Sequence, residues 1–216
     1  MYIPPANLET DRDTLFTFIE ATSLGALVTI GADGELVATH LPWVVHRDRG
    51  SHGVLHGHIA RANSQHAVND GTPSPVRALV LFTGPDAYIS PSWYVAKAEH
   101  GKVVPTWNYV AVHVYGEARF TSDRDALRQH LEALVTRHEA FQQTPWKVSD
   151  APGEYIERQI NAIVGVEIAI ERIEGKWKMS QNRSTADVDG VIAALEQSSM
   201  PKDRAVAEIM TARKRP

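Results

Sequence analysis

Three stretches of the 216-residue chain concentrate side chains able to hold a ligand. The first runs from Tyr88 to Tyr109 (YISPSWYVAKAEHGKVVPTWNY). Ser90, Ser92, Thr106 and Asn108 offer hydrogen bonds there, Lys97, His100 and Lys102 offer positive charge, and Trp93 and Trp107 offer flat apolar faces. That mixture suits a flat, anionic, partly polar ligand. The same residues would equally make an aromatic mini-core closing one end of a sheet, because Trp and Tyr dominate cores as well as sites. The second stretch is His56 to Gln65 (HGHIARANSQ). His56 and His58 stand two apart and share one face of a strand, and Arg61, Asn63 and Gln65 follow at a strand-to-helix turn. An Arg beside fresh helix N–H groups suits a phosphate through charge-assisted bonds and the helix dipole. A metal would need further ligands; His40 and His113 are present, but their spacing shows no convergence, so no metal ligand is assigned. The third stretch is Lys176 to Ser184 (KWKMSQNRS). Lys176, Lys178 and Arg183 are its cations, Ser180, Gln181 and Asn182 its hydrogen-bonding groups, and Trp177 a surface for stacking. Its plain alternative is a solvated sheet edge guarded by Lys.

No GxGxxG, GxxxxGK[ST], HExxH or GxSxG motif occurs, which weighs against a Rossmann dehydrogenase, a P-loop NTPase, a zincin and an α/β-hydrolase. No general acid or nucleophile stands out, so no catalytic residue is assigned. Cysteine is absent, which removes disulfides, thiolate metal sites and a Cys nucleophile and suits a cytoplasmic setting. The N-terminus has no basic region followed by an apolar run, so no secretory signal is expected, and no apolar stretch approaches a membrane span. The net charge of −4 and a pI near 6.2 make a globally basic nucleic-acid surface untenable. Only the end of the chain, 201–216, is locally basic, at +3, with Lys202, Arg204, Arg213, Lys214 and Arg215; a solvated terminus explains it as well as DNA does.

The elements that must position these stretches follow from pattern. Pro4-Pro5 keeps the first residues extended. A short helix capped by Thr10 or Asp11 carries Leu15, Phe16 and Ile19 on one side. Gly25–Ile30 and Glu35–Val45 form a hairpin around Gly31-Ala32-Asp33-Gly34, interrupted near Pro42. Val54–Ile59 is a strand, 60–68 a short helix and 69–75 a loop. Arg77–Phe82 is a strand that turns at Gly84-Pro85-Asp86. Trp107–Phe120 is the longest strand, with a bulge at Gly116. Ser122 and Asp125 form a capping box for a helix reaching about Phe141, with Leu127, Leu131, Leu134 and Val135 at the 3.6 period; His138 on it faces solvent or a neighbouring element. A short helix near Tyr155 precedes a strand, Ile163–Ile173, ended by a turn at Glu174-Gly175. Two helices close the chain. With six or seven strands in meander-like order and no βαβα alternation, the expected class is mainly β with peripheral helices (α+β), a small closed barrel.

Nine blocks in order, MYIPPAN, ATHLPW, GHIARANSQ, GPDAYISPSWY, GKVVPTWNY, AVHVYGE, VSDAP, IVGVEI and GKWKMSQNR, resemble the PaiB family of FMN-binding negative transcriptional regulators. The resemblance runs from Met1 to about Leu195. It implies an FMN-binding split β-barrel over residues 1–198, similar to pyridoxamine-phosphate oxidases and flavin reductases, with 199–216 as a helical basic tail outside it. Such barrels form homodimers with flavin near the interface. The candidate FMN-binding residues are His58, Arg61, Asn63 and Gln65 from one stretch, Lys102, Thr106, Trp107 and Asn108 from another, and Lys178, Gln181, Asn182 and Arg183 from the third. Arg61 or Lys102 is the expected phosphate ligand. DNA enters as a partner by resemblance alone. A flavin-dependent oxidoreductase and a haem-handling barrel with a His axial ligand are the alternative functions.

Overall fold

A computed structural model describes residues 1–31, 33–68 and 75–214. Of the loop expected at 69–75, residues 69–74 lie outside the described residues, as do Ala32 of the first hairpin turn and residues 215–216 of the tail. The elements are β1 (Leu8–Glu9), α1 (Arg12–Thr22), β2 (Leu24–Ile30), β3 (Leu36–Pro42), β4 (Val44–His46), β5 (Val54–Ala60), β6 (Val76–Ile89), α2 (Ala96–His100), β7 (Thr106–Thr121), α3 (Arg124–Glu139), α4 (Gly153–Asn161), β8 (Ile163–Lys178), α5 (Thr185–Glu196) and α6 (Pro201–Arg213). The strands join in one sheet in the order β3-β2-β6-β7-β8-β5-β4, with β1 added to β8. The registers of β2 with β3 and β6, β5 with β4 and β8, and β1 with β8 are all antiparallel. The α+β expectation holds.

The chain divides into two compact units, and β6, β7 and β8 contribute residues to both. One unit comprises 12–82 and 113–173. Its buried residues follow the period-2 pattern, Ala78, Val80 and Phe82 on β6 and Val114 and Ala118 on β7, together with Phe16 and Ile19 of α1. Trp43, wholly buried, breaks the predicted single strand 35–45 into β3 and β4: its backbone N–H donates to Ser23 O at 2.9 Å and its indole to Gly25 O at 3.3 Å. Leu41 and Trp43 lie over Gly57 of β5, where a Cβ would come within 2.6 Å of Leu41 Cδ1. Strands β3 and β5 therefore touch, and this unit closes on itself as a small barrel. Gly116 is needed for close approach: a Cβ there would sit 2.1 Å from the Ala169 carbonyl oxygen. Gly116→Ala is expected to cost about 1–3 kcal/mol or more by overpacking, read as a fall in denaturation midpoint. Gly153→Ala, with nothing within 4 Å, is the control.

The other unit comprises 1–11, 83–112 and 174–216. Its core is built from Ile89, Tyr94, Val110, Trp177, Met179, Val191, Leu195, Val206 and Met210. The last helix, α6, belongs to this core through Val206, Ala207 and Met210.

Four local expectations are corrected. Gly84-Pro85-Asp86 is not a turn but the middle of the 14-residue β6. The β2 register ends at Leu81, so Pro85 lacks its N–H where no β2 ladder continues. Glu174-Gly175 is likewise inside β8, held extended because β1 pairs with it at Gly175 and Lys176. The helix expected at 60–68 is a turn followed by a short 3-10 segment, Ser64–Val68. There the Asn63 side chain accepts from Gln65 N at 2.9 Å, the local bond by which Asn competes with helix. Finally, α3 is capped by Asp123, which accepts from Asp125 N and Ala126 N, and not by Ser122.

Candidate functional site

The KWKMSQNRS stretch leaves β8 through a tight reversal. Ser180 has φ +62°, a left-handed conformation that costs a non-glycine residue on the order of 1 kcal/mol or more. It is held there by its neighbours. The buried Asn108 of β7 donates Nδ2 to Ser180 Oγ at 3.0 Å, and the hydroxyl donates to Asn108 Oδ1 at 3.2 Å. Gln181 Oε1 accepts from Met179 N at 2.7 Å while Gln181 Nε2 donates to Trp177 O. Ser180 O accepts from Arg183 N at 3.0 Å. Lys178 Nζ donates to Thr106 Oγ1 at 2.5 Å and to the Trp107 carbonyl. Two of the three sequence clusters, from β7 and β8, are thereby brought together.

They line a cavity of about 270 Å³ with Tyr94, Val104 and Pro105; Thr106, Asn108, Lys178, Gln181, Asn182 and Arg183 are all on its wall. Two predicted residues of this unit are not. Lys102 lies exposed on the loop after α2. Trp107 contributes its carbonyl, while its half-exposed ring meets Tyr88 edge-on at 6.0 Å. Tyr94 was not singled out by sequence. It is 3% exposed, its hydroxyl has no hydrogen-bond partner, and the Arg183 guanidinium lies 4.7 Å above its ring. The segment bearing it is pinned by α5: Asp187 Oδ1 accepts from Ala96 N at 3.0 Å, and Gly190 lies against the Trp93 carbonyl, where a Cβ would come within 2.2 Å.

The electrostatics are one-signed. Lys176, Lys178 and Arg183 have no carboxylate partner among the described residues. Burial, with the charges of Lys176 and Arg183, pushes the Lys178 ammonium below its ordinary pKa. An anion in the cavity would relieve that repulsion. A buried hydroxyl without a partner, amide edges and clustered cations suit the phosphate and polar edges of FMN.

The GHIARANSQ residues are all in the barrel unit and are engaged inside it. Gln65, 1% exposed, donates to Leu27 O, Thr29 Oγ1 and Val37 O. Asn63 Nδ2 donates to Thr39 Oγ1 at 2.8 Å. Arg61 uses three N–H groups, donating to Asn161 O at 2.7 Å, Ser122 Oγ at 3.2 Å and Ile163 O at 2.9 Å. Two of a guanidinium's five donors remain. His58 Nδ1 meets His130 Nε2 at 3.0 Å, extending a cluster with His56, His46 and Glu167. His130 was also missed by sequence. Its signal was the spacing of three from Leu127, which places it on the apolar face of α3. Among the described residues no group of three or more His, Cys, Asp or Glu is arranged to hold a metal ion.

In fold the chain is similar to solved structures of distant sequence. It matches the protein Rv2991 from Mycobacterium tuberculosis with a TM-score of 0.56 at 20% identity, covering 84% of this chain and 92% of that one. It matches the FAD and haem binding protein from Mycobacterium smegmatis with a TM-score of 0.56 at 17% identity, covering 85% and 79%. The class is therefore the split-barrel fold, antiparallel and α+β. Residues 1–172 match the family described as "Putative FMN-binding domain". Protease synthase and sporulation protein PAI 2 of Bacillus subtilis (strain 168) is 34% identical over 210 residues, 97% of this chain and 96% of its own. The chain belongs to this PaiB-like family of FMN-binding domains.

Proposed function

We propose that the protein is a cytoplasmic homodimer that binds FMN at the cation-lined cavity of β7 and β8 and acts as a PaiB-type negative regulator through its flavin. The observation that carries the site is one cavity lined by two cations without carboxylate partners among the described residues, Lys178 and Arg183, together with the buried Tyr94, whose hydroxyl has no hydrogen-bond partner. FMN supplies the redox chemistry when bound. Among the described residues no helix is long and apolar enough to cross a membrane. The absorption spectrum of the freshly purified protein tests the cofactor first. Flavin bands are expected; a Soret band would move the reading to a haem-handling barrel. Turnover of a reductant by the flavin-loaded protein would favour an oxidoreductase.

Lys178 is the proposed phosphate ligand within this cavity. Losing a charged hydrogen-bond partner costs about 1.5–3 kcal/mol, roughly tenfold to hundredfold in affinity. Lys178→Met is expected to weaken FMN by that factor and to leave riboflavin unchanged, measured by quenching of flavin fluorescence. Equal loss for both ligands would remove Lys178 from the phosphate.

Direct, tight DNA recognition is not part of this proposal. Three basic residues of α6 and its end are committed elsewhere, Arg213 to Glu9, Lys214 to Asp189 and Lys202 to Asp86, and Arg204 donates to the Ser198 carbonyl at 2.7 Å. Fluorescence anisotropy with the gene's own upstream DNA is expected to report weak, salt-sensitive binding. Nanomolar binding at physiological salt that survives competitor DNA would overturn this.

A further inference from the structure

A second cavity in the same unit has a different character. It is also about 270 Å³ and lies among Ala6, Met179, Val188 of α5, Met210 of α6, Gln181 and Arg183. Its floor is apolar: Met179 and Met210 are 3% and 2% exposed. The cations around it are unequal. Arg213 is paired with Glu9 and Lys214 with Asp189, so neither offers an unmatched charge. Arg183 has no carboxylate partner among the described residues and is oriented by the face of Tyr94 at 4.7 Å. One unmatched guanidinium above a floor of two thioethers defines a ligand with one anionic group and an apolar body. Arg is suited to the bidentate capture of a carboxylate, and methionine adapts its shape to varied apolar bodies. An apolar enclosure with few placed polar groups is the usual form of a small-molecule site.

We propose that this cavity binds a small amphipathic carboxylate, its head on Arg183 and its apolar body against Met179, Met210 and Val188. The proposal rests on this cavity's lining; Ala6, Gln181 and Arg183 also line the first cavity, while Met179, Val188 and Met210 line this one and not the first.

The chain has four methionines, two in the cavity floor and two, Met1 and Met200, outside its lining. Methyl NMR of the full chain labelled at the methionine methyls reads the site directly, with hexanoate, hexanol and hexylamine as probes. Saturable shifts of Met179 and Met210 are expected with hexanoate, with Met1 and Met200 unmoved. Hexanol should bind at least about tenfold more weakly, the value of a charge-assisted bond, and hexylamine more weakly still. Arg183→Met should abolish the preference of hexanoate over hexanol while the Met179 and Met210 signals keep their dispersion, which reports an intact fold. Equal response to the three probes in the unsubstituted chain, or shifts at Met1 and Met200 instead, would overturn the proposal. A separate FMN titration followed by flavin fluorescence reports the neighbouring cavity, so failure of one reading leaves the other legible.

Discussion

Acidification from pH 7 to 4.5 is expected to cost the barrel unit about 2–3 kcal/mol through His130 alone, and His130→Gln should abolish that part of the pH dependence. His130 is 6% exposed between α3 and β5, and its pKa is lowered to about 3, first by burial and then by the neighbouring His58, His56 and His46. His58 is lowered too, by burial. The bond between His58 Nδ1 and His130 Nε2 needs one donor and one acceptor. Protonating both rings would set N–H against N–H. His130 Nδ1 is buried without a partner, so no acceptor stabilises a second proton there. The groups facing the cluster include Arg49 of the β4–β5 connection, which adds positive charge, and Glu167 of β8, whose carboxylate is bonded to both His56 and Arg49.

The sign follows from linkage. The folded pKa of His130 lies below its unfolded value of about 6.5, so the unfolded chain takes up the proton first as pH falls. The contribution is complete above pH 6.5 and is lost progressively toward pH 3. Glutamine keeps a hydrogen-bonding partner for His58 and cannot titrate. Urea unfolding of both proteins at a series of pH values measures the difference in slope. Parallel curves between pH 7 and 4.5 would show that His130 is free to protonate in the fold.

Strand and helix types were legible because burial here follows the two simple periods. The strand at Trp107–Phe120, and the helix on which Leu127 and Leu131 share a face, read correctly from sequence. Punctuation was less legible. Gly84-Pro85 and Glu174-Gly175 carry turn composition, yet both lie inside long strands, because ladder partners from distant segments decide whether a Gly or Pro must turn. The N-terminal β1, which holds Gly175 extended, is more than 160 residues away in sequence. The candidate site divided in the same way. Lys178, Asn182 and Arg183 were visible as a polar run of unusual composition. That Asn108 locks Ser180, and that Tyr94 is buried with an unmatched hydroxyl, depends on contacts no local pattern encodes. Arg61 was read as a phosphate ligand at a helix start; the helix is absent, and three of its N–H groups go to Asn161 O, Ser122 Oγ and Ile163 O, which leaves two of its five donors. Chemistry-bearing residue types identify candidates, while their hydrogen-bond commitments decide which remain available.

Mixing Arg61→Gln chains with Lys178→Met chains is expected to restore FMN binding that neither variant has alone at limiting ligand. The cavity at Lys178 is about 270 Å³, below the roughly 300–1,000 Å³ of pockets that enclose a drug-sized ligand, so it takes a part of FMN and leaves the remainder to be covered. A second copy of the chain is the proposed cover. Ile30 and Leu36, register partners on the β2–β3 hairpin, are 53% and 74% exposed and are proposed to lie in that contact. Arg61, anchored by three bonds with two donors to spare, is the proposed contribution of the partner. Two-fold symmetry repeats the arrangement, giving two equivalent sites per dimer. In a mixed dimer one site then combines the intact Arg61 of one chain with the intact Lys178 of the other, and the second site carries both substitutions. One site in two per mixed dimer should recover the unsubstituted affinity, a gain of roughly tenfold to hundredfold over either parent. Because ligand and partner act on the same assembly, FMN should also raise the dimer fraction in sedimentation velocity. A monomer that binds one FMN at full affinity would contradict the sharing. So would mixed dimers, verified by mass, that bind no better than their parents.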